Sequence, residues 1–269
     1  MEKSLMSKKQ EHSYWCVIRD RRIYLEGGKL PLTLEGFTEL DLAGSKTIGF
    51  HQGCPVKWLE DPDLLADKNF YSLRELLHEP EDLFALAGKA MQLSYMQETQ
   101  RFCSACGGKT TLADGGQAMH CLTCKTDHYP RISPCIIVAV KKDDCILLAQ
   151  HPRHKNGMYT VIAGFVEAGE TLEQCVAREV KEETGIEVTH IRYFDSQPWA
   201  FPSNLMMGFL AEHHSGAIRP DYEELVDARW FQHDQLPQIA PPGTIAYRLI
   251  QATCAAIRQE AAIRSDGVQ

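Results

Sequence analysis

The sequence predicts an α/β protein in three parts: a small α+β domain over residues 1–100, a four-cysteine ribbon over 101–127 and an α/β/α sandwich over 128–264. Short strand patterns and one long helical pattern fill the first hundred residues. Two Cys-x2-Cys knuckles follow. Beyond them, strand patterns are interrupted by one helix and closed by another, as a sheet covered on both faces requires.

Residues 1–12 are polar and are expected to be loose. Strand patterns cover 14–19 and 22–25 around Asp20-Arg21, and 46–51 and 55–59 around Gln52-Gly53. Pro80-Glu81-Asp82 opens a helix to about residue 100, with Leu83, Leu86, Ala87, Ala90, Met91 and Ser94 on one face. No catalytic motif falls in this part, and scaffold or subunit contact is its expected role.

Cys103, Cys106, Cys121 and Cys124 then present four thiols in two knuckles fourteen residues apart. Four thiolates close a tetrahedron about one Zn²⁺ and leave no open position, so the zinc is structural. The intervening 112–120 loop has no Lys, Arg or aromatic residue, which weakens a nucleic-acid-binding reading. The other six cysteines lie mostly in apolar runs and suit small buried hydrophobes.

A buried strand is expected over 135–140, a turn over 141–144 and a hairpin partner over 145–150. Residues 159–163 read as a strand leading into an acidic segment, with 187–194, 205–211 and 228–231 as further strands. A closing helix spans 244–263, with Leu249, Ile250, Thr253, Cys254 and Ile257 on one side.

Composition bounds the function. The chain has 269 residues, 44% hydrophobic and 24% charged, as a soluble globular protein does. Its net charge of -8 argues against a broad nucleic-acid surface. No apolar run is long enough for a membrane span and the N-terminus lacks an apolar signal core, so no membrane association and a cytoplasmic location are expected. Ten cysteines in such a chain do not suggest a disulfide framework.

The functional segment is 164–186, GFVEAGETLEQCVAREVKEETGI. A helix over 171–184 buries Leu172, Cys175, Val176 and Val180 and stops at Gly185. It sets Glu179 and Glu183 one turn apart with Glu182 beside them, a spacing that destabilises an isolated helix. Carboxylates gathered in this way hold hard cations such as Mg²⁺ or Mn²⁺ together with substrate phosphates. Gly164 and Gly169 are expected to allow sharp turns before the helix. Arg178 has an internal partner in Glu170, which would leave the other acids to the metal.

This stretch resembles the Nudix box, G-x5-E-x7-R-E-U-x-E-E-x-G-U with U apolar, at Gly164, Glu170, Arg178, Glu179, Val180, Glu182, Glu183, Gly185 and Ile186. A second stretch, Ser196-Gln197-Pro198-Trp199-Ala200-Phe201-Pro202-Ser203, is stiffened by prolines and carries two flat rings. By physics alone it serves equally well to stack a heterocyclic base or to plug the core edge. It resembles the SQPWPFPxS sequence of the NADH pyrophosphatases, the NudC-type family of Nudix hydrolases, with Ala200 in place of a proline. The four-cysteine element before the box is also a feature of that family.

The resemblance implies a Nudix α/β/α sandwich and a set of site residues. Metal ligands would be Glu179, Glu183, Glu224 and the carbonyl of Ala163, with two or more Mg²⁺ or Mn²⁺ ions. Glu183 or Glu182 would take a proton from the attacking water. Substrate contacts would be Gln197, Pro198, Trp199, Ala200, Phe201, Pro202, Ser203 and Asn204, with Arg74, Tyr129 and Ala246. Phe165 joins Trp199, Phe201 and Tyr129 as a stacking candidate. Family members often carry an acid and an aromatic where this chain has Gly116 and Gln117, a departure from the family pattern. The implied reaction is hydrolysis of the pyrophosphate of NADH or NAD⁺ to nicotinamide mononucleotide and AMP, and release of the NAD cap from RNA 5′ ends, by a homodimer. Competing readings are a Nudix hydrolase of ADP-ribose or dinucleoside polyphosphates, and a non-catalytic zinc-ribbon protein that binds nucleotide or RNA. A pure binder has no need of Glu179, Glu182 and Glu183.

Overall fold

The computed structural model describes residues 12–34, 42–61, 65–154 and 156–266, in two units, Met1–Arg131 and Ile132–Gln269. The polar segment expected at 1–12 lies outside the described residues except for His12.

In the first unit, β1 (Tyr14–Arg19), β2 (Arg22–Tyr24), β3 (Lys46–His51), β4 (Cys54–Glu60) and β5 (Phe70–Tyr71) form a sheet in the order β3-β4-β1-β2-β5. The four expected strands all form. Trp15, Val17 and Tyr24 supply a buried cluster with Leu34 and Leu65. Helix α1 (Glu81–Thr99) buries the predicted Leu83, Ala87, Ala90, Met91 and Ser94. The buried His51 reaches across to its first turn, with Nδ1 2.6 Å from the Asp82 carboxylate.

The ribbon adds three short strands, β6 (Thr110–Leu112), β7 (Met119–Cys121) and β8 (Asp127–His128). Gly107 takes a positive φ as the first knuckle turns, and Lys125 does so at the second. Sheet pairs this short cannot stabilise themselves in water.

The second unit holds a six-stranded sheet in the order β12-β13-β9-β10-β14, with β11 also paired to β9. The strands are β9 (Ser133–Lys142), β10 (Cys145–Gln150), β11 (Ile162–Phe165), β12 (Glu187–Trp199), β13 (Asn204–Ser215) and β14 (Asp227–Gln232). Side chains alternate across β9, as strand geometry requires. Ile136, Val138 and Val140 pack with Cys175, Val176 and Val180 of α2 (Leu172–Thr184). Cys135, Ile137 and Ala139 pack with Leu249, Ile250 and Cys254 of α3 (Ile245–Asp266). The unit is therefore the expected α/β/α sandwich. No helix among the described residues is long and apolar enough to cross a membrane.

Two expectations are corrected. The strand placed at 159–163 runs instead from Ile162 to Phe165, and Tyr159 and Thr160 make only isolated bridges. Gly164 therefore lies in a strand opposite Ile136 rather than at a turn. Strands β12 and β13 also extend beyond 187–194 and 205–211. The aromatic loop shrinks accordingly to a tight turn at 200–203. Pro198 can sit within β12 because β12 is an edge strand, where a missing N–H is tolerated.

Candidate active site

Strand directions collect the candidate residues at one end of the second sheet. Trp199 pairs with Asn204, Asn204 with Ser133, Phe165 with Cys135, and Gln150 with Asp227. Helix α2 starts just after β11 with a reciprocal cap. Thr171 Oγ1 accepts from Gln174 N–H, and Gln174 Oε1 accepts from Thr171 N–H. It ends at Gly185 in the left-handed conformation, as predicted.

The acids line the side of this helix. Glu183 is only 3% exposed, Glu179 is mostly buried and Glu182 projects to solvent. The chain after β13 then wraps the helix C-terminus. Arg219 N–H donates to the Thr184 carbonyl at 2.8 Å and Asp221 N–H to the Glu183 carbonyl at 2.9 Å. This run delivers Glu224, whose charge acts on both Glu179 and Glu183.

Burial and neighbouring carboxylates push Glu183 up to about 8, and burial raises Glu179 as well. Glu183 Oε2 is buried and has no hydrogen-bond partner. An unpaired buried carboxylate oxygen is costly, and a cation is what removes that cost. The donor set thus fits a hard divalent ion. It is more open than the ribbon site: among the described residues only the four cysteines bring three or more side-chain donor atoms within 4.8 Å of one another.

Gly164 has a close-approach role that differs from the turn expected of it. A Cβ built there would lie 1.8 to 2.3 Å from the Glu179 carboxylate atoms. Ala163, one residue earlier, turns its methyl to the α3 layer. Gly164→Ala is expected to cost about 1–3 kcal/mol of stability through overpacking. By moving Glu179 about an ångström it should also lower kcat by roughly a hundredfold. Thermal melts and steady-state kinetics on the same preparation test both effects.

Arg178 is more heavily used than expected. Its Nε and Nη2 donate to Glu170 at 3.0 and 2.6 Å, as predicted, but Nη1 also donates to Glu179 at 2.9 Å and Glu182 at 3.0 Å. With three carboxylates in reach, one guanidinium fork engages them all. Nη2 further donates to the Phe165 carbonyl at 3.0 Å, which ties the helix to the end of β11.

At the aromatic turn, Trp199 and Phe201 are half-buried, with ring centroids 4.8 Å apart and planes at 51°. Trp199 packs partly on the α3 core, which is the core-edge role, and the rest of its ring stays accessible. Phe165 is 55% exposed beside the box. Pro198 and Pro202 are exposed, Ala200 and Ser203 buried, and Asn204 donates to the Phe201 carbonyl at 3.2 Å. Gln197 is buried, and its amide bridges the Gly243 carbonyl and Ile245 N–H at 2.8 Å each. It thereby fixes the start of α3, where the buried Ala246 lies. Arg74 is exposed on a short 3-10 turn and Tyr129 is 66% exposed; both belong to the first unit.

Two charged residues near Glu183 escaped the sequence reading. Asp221 and Arg153 both act on its carboxyl. Neither belongs to the box; for Arg153 the available signal was the HPRHKNG run at the end of a strand, rich in His and basic residues.

In the ribbon, Cys103 and Cys124 Sγ are 3.6 Å apart, as are Cys106 and Cys121 Sγ. That is far longer than a disulfide of about 2.05 Å. It is close to the edge of about 3.8 Å of a zinc tetrahedron with about 2.3 Å bonds. The residues present fit zinc.

Known proteins match in the same order. The NUDIX domain model matches residues 129–252, and the NADH pyrophosphatase zinc ribbon domain model matches 98–129. An NAD-capped RNA hydrolase NudC of Photobacterium profundum is 58% identical over 96% of this chain and 97% of its own. Those of Vibrio vulnificus and Escherichia coli O157:H7 are 56% and 46% identical, each over 94% of this chain and 97% of their own. The crystal structure of a NUDIX hydrolase from Nitrosomonas europaea aligns with a TM-score of 0.50 and 26% identity, covering 58% of this chain and 91% of that one. At such identity over nearly the whole length, the chain belongs to the NudC family of Nudix hydrolases.

Proposed function

We propose that this chain hydrolyses the pyrophosphate of NADH and NAD⁺ to nicotinamide mononucleotide and AMP, and removes NAD caps from RNA 5′ ends. The observation that carries this is Glu183, buried with an unpartnered oxygen among carboxylates at the sheet end that also holds the aromatic turn. The relatives named as NAD-capped RNA hydrolases support the substrate.

Glu179, Glu183, Glu224 and the Ala163 carbonyl would hold Mg²⁺ or Mn²⁺, two or more per subunit. Bound there, such ions neutralise a diphosphate and acidify a water molecule. Glu183 or Glu182 would take a proton from the attacking water. Arg178 holds Glu179 and Glu182 in place. Trp199, Phe201 and Phe165 offer ring faces to nicotinamide or adenine. Gln197 shapes the turn and the start of α3 around Ala246, and the remaining residues from Pro198 to Asn204 line the base site. Arg74 and Tyr129 are proposed as further substrate contacts on the family resemblance alone. The proposed division of labour is 1–100 as scaffold, 101–127 as a ribbon with one structural zinc and 128–264 as the hydrolase. A homodimer is proposed on the family resemblance. The cytoplasm is proposed as the location, which suits ten unbridged cysteines.

Mass identification of products from NADH, NAD⁺, ADP-ribose and NAD-capped RNA, with Mg²⁺ or Mn²⁺ and with chelator, tests the reading. Nicotinamide mononucleotide should appear from the dinucleotides and the capped RNA, only with metal. Faster cleavage of ADP-ribose than of all three would overturn the substrate, and no cleavage at all would overturn the enzyme.

A further inference from the structure

The acids of the site repel a substrate that is itself anionic. Arg178, the guanidinium beside them, is committed to Glu170, Glu179, Glu182 and the Phe165 carbonyl. A second cation stands in the loop that leaves β10. Val226 N–H donates to the Gln150 carbonyl at 2.7 Å, which ties the loop base to the segment carrying Glu224. The His151 ring is buried, and its Nε2 has no hydrogen-bond partner among the described residues. His154 N–H donates to the His151 carbonyl at 2.9 Å, closing a turn that contains Arg153. Arg153 is exposed and makes no hydrogen bond or ion pair with any described residue. The loop leaves the sheet at the end where Phe165 and Trp199 lie, and the Arg153 charge acts there on Glu183 and on Cys135 at the start of β9. An exposed arginine at this end that pairs with none of the carboxylates has its donors available to another anion. Its planar fork matches two phosphate oxygens at once.

We infer that Arg153 is a substrate-binding residue whose guanidinium receives the linked phosphates of the dinucleotide. This rests on the pyrophosphatase reading above and adds a contact outside both sequence motifs. The contact binds ground state and transition state alike, so its loss should appear in KM more than in kcat.

The test is steady-state hydrolysis of NAD⁺ by wild type, Arg153→Ala and Arg153→Lys, with AMP and adenosine as competitive inhibitors. In Arg153→Ala, KM for NAD⁺ and Ki for AMP should each rise about 10-fold or more, as loss of a charge-assisted contact implies. kcat should stay within about threefold and Ki for adenosine should not move. Lysine should recover part of the loss, since it keeps the charge and loses the fork. A purely structural arginine would shift the melting temperature and affect AMP and adenosine alike. A rise below about fivefold in either KM or AMP Ki overturns the inference. If Arg153→Ala does not fold, Arg153→Gln gives the same comparison. Absence of NAD⁺ hydrolysis by wild type would sink the functional reading itself, a separate outcome.

Discussion

Glu183→Gln is expected to abolish turnover, with kcat lower by at least about 10³-fold, while the fold stands. Glutamine keeps the shape of a side chain that is almost wholly buried, so packing around α2 is preserved. What is lost is the negative charge that binds the ion and can take a proton from water. The same burial makes a stability prediction with a definite sign. The folded-state value near 8 lies above the ordinary 4.5, so the native state holds this proton more tightly than the unfolded chain does. The contribution is full below about 4.5 and is lost as pH rises through about 8. Metal-free wild type should therefore lose up to about 5 kcal/mol across that window, and Glu183→Gln should not. Above pH 8 the metal-free variant should be the more stable of the two. Adding Mn²⁺ should raise the melting temperature of wild type but not of the variant. Melting curves at several pH values, in chelator and in Mn²⁺, check this. A variant that turns over near the wild-type rate in saturating Mg²⁺ removes Glu183 from the mechanism.

Much of this was legible because local rules and tertiary structure agree. The stripe of Cys175, Val176 and Val180 marked the buried face of α2, and Thr171 and Gly185 bracketed it. The two knuckles announced their own geometry, since spacing alone places four sulfurs around one point. What could not be read depended on partners distant in sequence. The proline in β12 signalled a loop, and only its edge position in the sheet makes Pro198 a strand residue. Gly164 looked like a turn because nothing local announces that Glu179, fifteen positions on, will press against its Cα. Arg178 had an obvious partner in Glu170, but its engagement of Glu179 and Glu182 depends on how the β11 loop docks against α2. Arg153 belongs to no motif and acquires meaning only when the turn after β10 is brought beside Glu224.

Cys121→Ser should empty the ribbon of zinc and unfold it. The Cys121 thiol is buried at the end of β7, its Sγ faces that of Cys106, and Cys124 N–H donates to it at 3.4 Å. A serine hydroxyl is a poor zinc ligand at neutral pH, and three thiolates then face one another without their cation. Strands of three, three and two residues offer little to hold the loop once the ion is gone. Zinc sites of this kind supply about 10–16 kcal/mol of apparent folding energy, more than so small an element can replace. Bound zinc should fall from about one per chain to near zero by atomic emission. Proteolysis should begin within residues 101–131, the segment that loses its crosslink. Cys254→Ser is the control, because that thiol is buried between α3 and the second sheet and should leave the zinc content unchanged. A Cys121→Ser protein that keeps a full equivalent of zinc would mean that His128, whose Nε2 lies 3.1 Å from Cys103 Sγ, can take the vacant corner. The four-thiolate assignment would then give way to a site with nitrogen in reserve. The double variant Cys121→Ser with His128→Ala separates the two, because it should lose zinc in either case while the single variant loses it only in the first.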